Sequence, residues 1–160
     1  MKIEYLKSLE QNIVTMKNTL ERKGYTMVEI EGLEMQLNNG EAFPKSFREY
    51  LFLAGRRNNV SLSIGAFTDE PEKFTGVKEY FEEEIVKRGL SMNRPYVIFH
   101  NKDGESFSLI HLDEGDDPMP YHFELYEESP KEPFEYTNVK SFSELIDYLV
   151  DSGLKGLQPW

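Results

Sequence analysis

A chain of 160 residues with 39% hydrophobic and 13% aromatic content is long and apolar enough for one domain with a single core, which argues against disorder of the whole chain. The absence of cysteine excludes disulfides, thiolate nucleophiles and cysteine metal ligands, and it agrees with a reducing compartment. A formal net charge of −11, from 18 basic and 29 acidic residues, disfavours nucleic acid and anionic membranes as partners, because both require clustered cations.

The N-terminal segment predicts an amphipathic helix. Between Ile3 and Leu20 apolar residues recur at spacings of three and four, and Gly24 follows as a left-handed cap. We expect residues 1–23 to pack on the domain, with the docking of a partner helix as the alternative use of this apolar stripe. Charges every few residues leave no room for a secretory signal, and no later run suits a membrane span, so the sequence predicts a cytoplasmic protein.

Two consecutive helices are predicted next. Thr26 and Glu29 match a capping box, and residues 38–40, Asn-Asn-Gly, end the helix that it starts. Pro44 suits the first turn of the following helix, because a missing N–H costs nothing there, and Gly55 ends that helix. A short turn should therefore join the two helices.

The middle of the chain predicts strands on both sides of one helix. Residues 60–64 alternate between apolar and serine side chains, which indicates a short half-buried strand. An amphipathic helix with a charged outer face is predicted from Gly76 to Gly89. Residues 95–99 and 106–112 are strand-like runs joined by an Asp-Gly turn, so they predict a β-hairpin.

The last third predicts a strand at residues 121–125, an edge strand at residues 134–136 and a helix. Ser141 and Glu144 match a second capping box, and apolar residues follow it at helical spacing. No repeat, linker or low-complexity tract divides the chain. The pattern as a whole predicts a single α+β domain.

The three histidines do not form a recognisable metal-binding pattern. His100, His111 and His122 lie eleven residues apart, so none forms the i, i+3 or i, i+4 pair that helical metal sites use. A cross-strand histidine pair that binds zinc or iron is the alternative. Glycine-rich phosphate-binding motifs and the nucleophile elbow are absent as well. We expect no metal and no cofactor.

Neighbouring carboxylates offer the remaining route to catalysis, as general acid and base. The candidate pairs are Asp113 with Asp116 and Glu127 with Glu128. With 29 acidic residues in the chain, such neighbours arise by chance. We therefore expect no catalytic residues and no enzymatic activity.

Negative charge is concentrated in residues 113–135. This segment holds nine acidic residues and one lysine, so it carries −8 of the total −11 and leaves −3 for the other 137 residues. Like charges this close repel one another unless salt or a cationic partner screens them. A calcium site at Asp113, Asp116 and Asp117 is the alternative, although their spacing lacks the EF-hand pattern. The sequence predicts a partner-binding surface made of Asp113, Glu114, Asp116, Asp117, Glu124, Tyr126, Glu127 and Glu128.

Several motifs resemble, in order, those of the SUKH superfamily. Residues 26–34, TMVEIEGLE, and residues 43–51, FPKSFREYL, resemble its capped opening helix and its Leu-Pro-x-x-Tyr-x-x-Phe-Leu-like helix. Residues 96–112 resemble its central strands, and residues 118–121, PMPY, its Pro-Val-Tyr strand entry. Residues 141–145, SFSEL, are similar to its terminal Ser-Phe-x-x-Phe-Leu helix.

The resemblance runs from residue 26 to residue 151. Departures are Phe43, where a leucine is usual, and residues 56–59, Arg-Arg-Asn-Asn, where a glycine-containing turn is common. The resemblance implies one SUKH-like α+β domain over residues 1–160, in which flanking helices cover an antiparallel, strongly bent sheet. Residues 1–23 would form an N-terminal helix packed on it.

Members of this superfamily include bacterial immunity proteins that neutralise polymorphic toxins, often nucleases, and scaffold-like fungal regulators of cell-wall assembly. Neither branch is enzymatic in the usual description. Together with the acidic segment, the resemblance implies an immunity protein that binds a cognate basic toxin domain through its acidic surface. We expect either a monomer or a weak dimer. The alternative is a scaffold or regulatory module of another pathway.

Overall fold

The computed structural model describes residues 1–12, 24–56, 72–126, 134–135 and 138–155. Its elements are α1 (Lys7–Asn12), α2 (Met27–Leu37), α3 (Lys45–Ala54), α4 (Glu72–Lys87), β1 (Tyr96–Lys102), β2 (Ser106–His111), β3 (Pro120–Glu124), β4 (Phe134–Glu135) and α5 (Phe142–Leu154). The predicted mixture of helices and antiparallel strands is confirmed. The predicted strand at residues 60–64 and the later part of the predicted first helix lie outside the described residues.

The four described strands form one antiparallel sheet in chain order, β1-β2-β3-β4. The predicted hairpin is present, although β1 continues through Lys102 and leaves a tighter turn than expected. Asp103 and Gly104 have φ angles of +56° and +76° in this turn, conformations that an Asp-Gly pair adopts readily. Between Ile98 and His100 the register shifts, which marks a β-bulge.

The sheet separates two hydrophobic cores. On one face, Phe81 and Ile85 of α4 pack against strand residues that include Ile98 and Leu109, which pair across β1 and β2. On the other face, Val97 and Ile110 belong to a core that contains residues of α1, α2, α3 and α5. The alternation of side chains along each strand produces these two faces. The sheet is thus covered by helices on both sides.

Both helices with predicted capping boxes have serine or threonine at the N-cap. The box of α2 is complete: Thr26 Oγ1 accepts from the Glu29 amide at 3.4 Å, and Glu29 Oε2 accepts from the Thr26 amide at 2.8 Å. In α5 the prediction is half right. The Glu144 amide donates to Ser141 Oγ at 3.3 Å, but the Glu144 carboxylate accepts from the Lys140 amide instead of from Ser141.

Two glutamates that the sequence did not single out are buried. The carboxylate of Glu49 accepts hydrogen bonds from the amides of residues 4, 5 and 6 at 2.7–2.9 Å, directly before α1. Glu34 accepts from the Phe43 amide at 2.8 Å and lies 3.0 Å from Arg48 Nε. A carboxylate at the start of a helix satisfies amides that have no partner within it. These two residues, which lie within the SUKH-like motifs, therefore stabilise the fold.

Candidate partner-binding surface

The predicted partner-binding residues that the structure describes lie at two ends of the sheet. Ser106 lies opposite Glu124 and Ile110 opposite Pro120, so β2 and β3 run in opposite directions. Residues 113–117 follow β2 at one end of the sheet, whereas Glu124 and Tyr126 lie at the other end, beside the β1–β2 turn. This corrects the expectation of a single acidic surface. Glu127 and Glu128 lie outside the described residues.

We name the two groups by their positions. The clamp end consists of Arg94, Asp113, Glu114, Asp116 and Asp117. The hairpin end consists of Tyr80, Asp103, Glu105, Glu124 and Tyr126. Each group combines predicted residues with neighbours that the sequence did not single out, so their chemistry differs.

At the clamp end, Arg94 pairs with two of the predicted acids. Its Nη2 lies 2.6 Å from Asp113 Oδ1 and its Nε 3.2 Å from Asp113 Oδ2, a two-point contact, while its Nη1 lies 2.8 Å from Glu114 Oε1. The hydrogen bonds and charge of Arg94 lower the pKa of Asp113 below its ordinary value. Tyr121 also donates to Glu114, at 2.9 Å. These carboxylates are therefore occupied within the chain.

The other two clamp-end acids connect the loop after β2 to the helices. Asp117 accepts from the Ser143 amide at 2.9 Å and from the Ser143 hydroxyl at 2.6 Å, in the first turn of α5. The carbonyl of Asp116 accepts from the Ser46 amide of α3 at 2.9 Å. Among the described residues, no group of three acidic or histidine side chains could hold a metal ion, so these contacts leave the calcium alternative without support.

The hairpin end has a different electrostatic character. Tyr126, which is 52% exposed, donates to Glu105 Oε2 at 3.1 Å. That bond and the charges of Glu105, Glu124 and Asp103 raise the pKa of the tyrosine hydroxyl. Within the part of the chain that the structure describes, Asp103 and Glu105 form no ion pair. Their negative charge therefore faces solvent.

A second tyrosine lies against the same turn. Tyr80 of α4 is 43% exposed, and its hydroxyl lies 3.4 Å from the Gly104 carbonyl oxygen. A Cβ at Gly104 would lie 3.2 Å from the Tyr80 ring, so glycine permits this close approach. The Leu125 amide donates to the Glu105 carbonyl at 2.8 Å, which holds the end of β3 beside the turn. Three elements thus converge at the hairpin end.

Polar side chains also line up across the strands. His122 Nε2 lies 3.1 Å from Ser106 Oγ and 3.5 Å from Glu124 Oε1. Its Nδ1 lies 3.5 Å from Ser108 Oγ. Because Ser106 and Ser108 are both buried, neither hydroxyl is placed to reach a substrate as a nucleophile. Burial lowers the pKa of His122, and Glu124 offsets part of this effect.

The histidines do not pair across strands. His100 and His122 both lie opposite Ser108, on the two strands that flank β2, so their Cα atoms are separated by two strand spacings, about 10 Å. His111 lies near the clamp end instead. The zinc or iron alternative therefore lacks the adjacent pair that it requires.

Comparisons with models of known families, with curated proteins and with solved structures found no match to this chain. The resemblance to the SUKH superfamily accordingly stays a prediction. Within the described residues, no helix combines the length and the apolar character needed to span a membrane. Among the described residues, acidic side chains gather at two ends of the sheet. At the clamp end Arg94 and Ser143 bind three of the four carboxylates, whereas at the hairpin end Asp103 and Glu105 form no ion pair.

Proposed function

We propose that this chain is a protein-binding domain without enzymatic activity, which engages a basic partner through its hairpin end. The observation that carries the proposal is the exposed pair Tyr80 and Tyr126 beside Asp103 and Glu105, which form no ion pair among the described residues. The clamp end is the weaker candidate, because three of its four carboxylates already accept hydrogen bonds from Arg94, Tyr121 or Ser143.

Tyrosine and carboxylate have complementary roles in such an interface. A tyrosine ring covers a large area at low conformational cost, and tyrosine is enriched among the residues that dominate binding energy. Surface carboxylates accelerate the encounter with a cationic partner and orient it. The hydrogen bond from Tyr126 to Glu105 restrains the ring before binding, so less side-chain entropy is lost in the complex.

The partner that we propose is a polymorphic toxin domain, with a nuclease as the leading kind. Support comes from the order of the SUKH-like motifs and from the net charge of −11. A nuclease holds its polyanionic substrate on a cationic surface, which an acidic protein surface complements. The chain would act as an immunity protein by covering that surface.

Binding to the basic C-terminal toxin domain encoded beside this chain tests the proposal. We expect a tight complex that blocks the toxin, with a Kd that rises as salt concentration increases, because salt screens charge attraction. Calorimetric titrations over a series of salt concentrations measure this dependence, alongside an assay of toxin activity. Failure to bind any neighbouring toxin domain would contradict the immunity role, and a gene without a toxin neighbour would favour the scaffold or regulatory alternative.

A further inference from the structure

His111 occupies a buried position beneath the clamp end. It is the last residue of β2, is 7% exposed, and packs its ring against that of Tyr121 with centroids 5.0 Å apart. Its Nδ1 is buried and has no hydrogen-bond partner. Burial therefore disfavours a proton on this ring, against smaller favourable contributions from the Pro95 carbonyl and from nearby carboxylates.

The charged groups around His111 come from several segments. Arg94, before β1, and Asp113 and Glu114, after β2, act on it electrostatically. The strands contribute its register partner Tyr96 and its ring neighbour Tyr121, and α4 contributes two residues that contact Tyr96, namely Glu82 and Lys78. Both nearby carboxylates already pair with Arg94. A protonated His111 would therefore lie near the positive charge of Arg94, and the two carboxylates that could balance its own charge are already paired with that arginine.

The loop that begins directly after His111 connects the sheet to two helices. The carbonyl of Asp116 accepts from the Ser46 amide of α3, and the carbonyl of Pro118 accepts from the Phe142 amide of α5 at 2.7 Å. Asp117 accepts from the Ser143 amide. Amides in the first turn of a helix have no partner within the helix, so these three depend on the loop for protection from solvent exchange.

We propose that residues 112–118 form a pH-sensitive latch on α3 and α5, which opens when His111 takes up a proton. Burial and the charge of Arg94 lower the pKa of His111 in the closed state, while an opened loop restores the ordinary value of about 6.5. The closed state is therefore fully favoured above that value and loses its advantage as the pH falls below it. One proton changes the opening equilibrium by at most about tenfold per pH unit.

Amide hydrogen exchange measured by NMR tests the latch. Between about pH 7.5 and pH 5.5, where ordinary Asp and Glu side chains stay ionised, protection of the Ser46, Phe142 and Ser143 amides should fall several-fold after correction for intrinsic exchange. The Glu144 amide, which donates to Ser141 within the same helix cap, serves as internal reference and should keep its protection.

Substitutions of His111 and His122 show which histidine causes the loss of amide protection at low pH. His111→Phe keeps an aromatic ring against Tyr121 but cannot be protonated, so the acid response of the three amides should disappear. His122→Gln removes the other histidine whose pKa burial lowers, and it should leave the response intact. If His111→Phe does not fold, His111→Gln and an NMR titration of His111 in the unaltered chain replace it. A response that persists without His111, or constant protection in the unaltered chain, would overturn the latch.

Discussion

At the scale of single residues, the buried carboxylate of Glu49 is a strong structural constraint. Three amides before α1 donate to it, and these contacts join the N-terminal segment to α3 across more than 40 residues of sequence. Hydrogen bonds to a charged group contribute about 1.5–3 kcal/mol each, and an unsatisfied buried amide is costly. The attachment of α1 therefore depends on one side chain as well as on the apolar contacts of Leu6 and Leu9.

Replacing Glu49 with Gln tests this role. The amide can accept from fewer of the three N–H groups and carries no charge, so we expect the free energy of unfolding to fall by about 2–4 kcal/mol. Urea unfolding followed by circular dichroism measures the change. Glu31→Gln, on the exposed side of α2, is the control and should stay within about 0.5 kcal/mol of the parent. Equal effects of the two substitutions would show that Glu49 lacks this structural role.

Sequence reasoning missed Arg94 because its partners depend on the register of the hairpin. Tyr96 pairs with His111, so the same register places Arg94 opposite Asp113. Near the turn, Lys102 pairs with Ser106. Because of the bulge, the register there differs by one residue from the register at Tyr96. Counting from the Asp-Gly turn would have placed Arg94 opposite Glu114. A bulge of this kind leaves no clear sequence signal.

At the scale of elements, the β1–β2 turn shapes the hairpin end through its backbone. Gly104 has a φ of +76°, and the nearest atom to a Cβ at this position belongs to Tyr80. A side chain there is strained by its conformation and would also displace the tyrosine. The turn thus couples β-hairpin geometry to the position of an exposed ring.

Two glycine substitutions, one in the turn and one in α2, test the left-handed conformation of Gly104. We expect Gly104→Ala to lower the free energy of unfolding by about 1–2 kcal/mol, because a left-handed conformation is unfavourable for alanine. Gly32→Ala, within α2, has no atom within 4 Å of the new Cβ and should raise stability by about 0.5–1 kcal/mol. Urea unfolding of both variants checks the pair. Stabilisation by Gly104→Ala would contradict the described turn.

Element prediction succeeded where local signals are strong. The capping box at Thr26, the Asp-Gly turn and the alternation along β3 each depend on neighbouring residues, and all three are present in the structure. Predicted boundaries were less accurate: α4 begins at Glu72, one helical turn before the predicted Gly76. Residues 73–75, Lys-Phe-Thr, carry no signal that marks the start of a helix. Local chemistry thus predicted which elements form better than where they begin.

At the scale of the whole molecule, the sequence predicted where charge is concentrated along the chain but not how it is arranged in space. Segment 113–126 turns back through β3, which places its acids at opposite ends of the sheet. Distant residues then decide which acids are bound within the chain: Arg94 pairs with Asp113, and Ser143 donates to Asp117. Such long-range pairings are invisible to composition and spacing. We therefore propose Tyr126 and its neighbours at the hairpin turn as the candidate surface.

Two tyrosines of nearly equal exposure allow a direct test of this surface. Tyr126, at the hairpin end, is 52% exposed, and Tyr148, on α5, is 51% exposed. Titration calorimetry would measure the Kd of Tyr126→Ser and Tyr148→Ser for the basic toxin domain encoded beside the chain, after unfolding curves show that both are folded. We predict that Tyr126→Ser raises the Kd by at least about tenfold and that Tyr148→Ser changes it by less than about twofold. An unchanged Kd for Tyr126→Ser, or a larger loss for Tyr148→Ser, would contradict binding through the hairpin end.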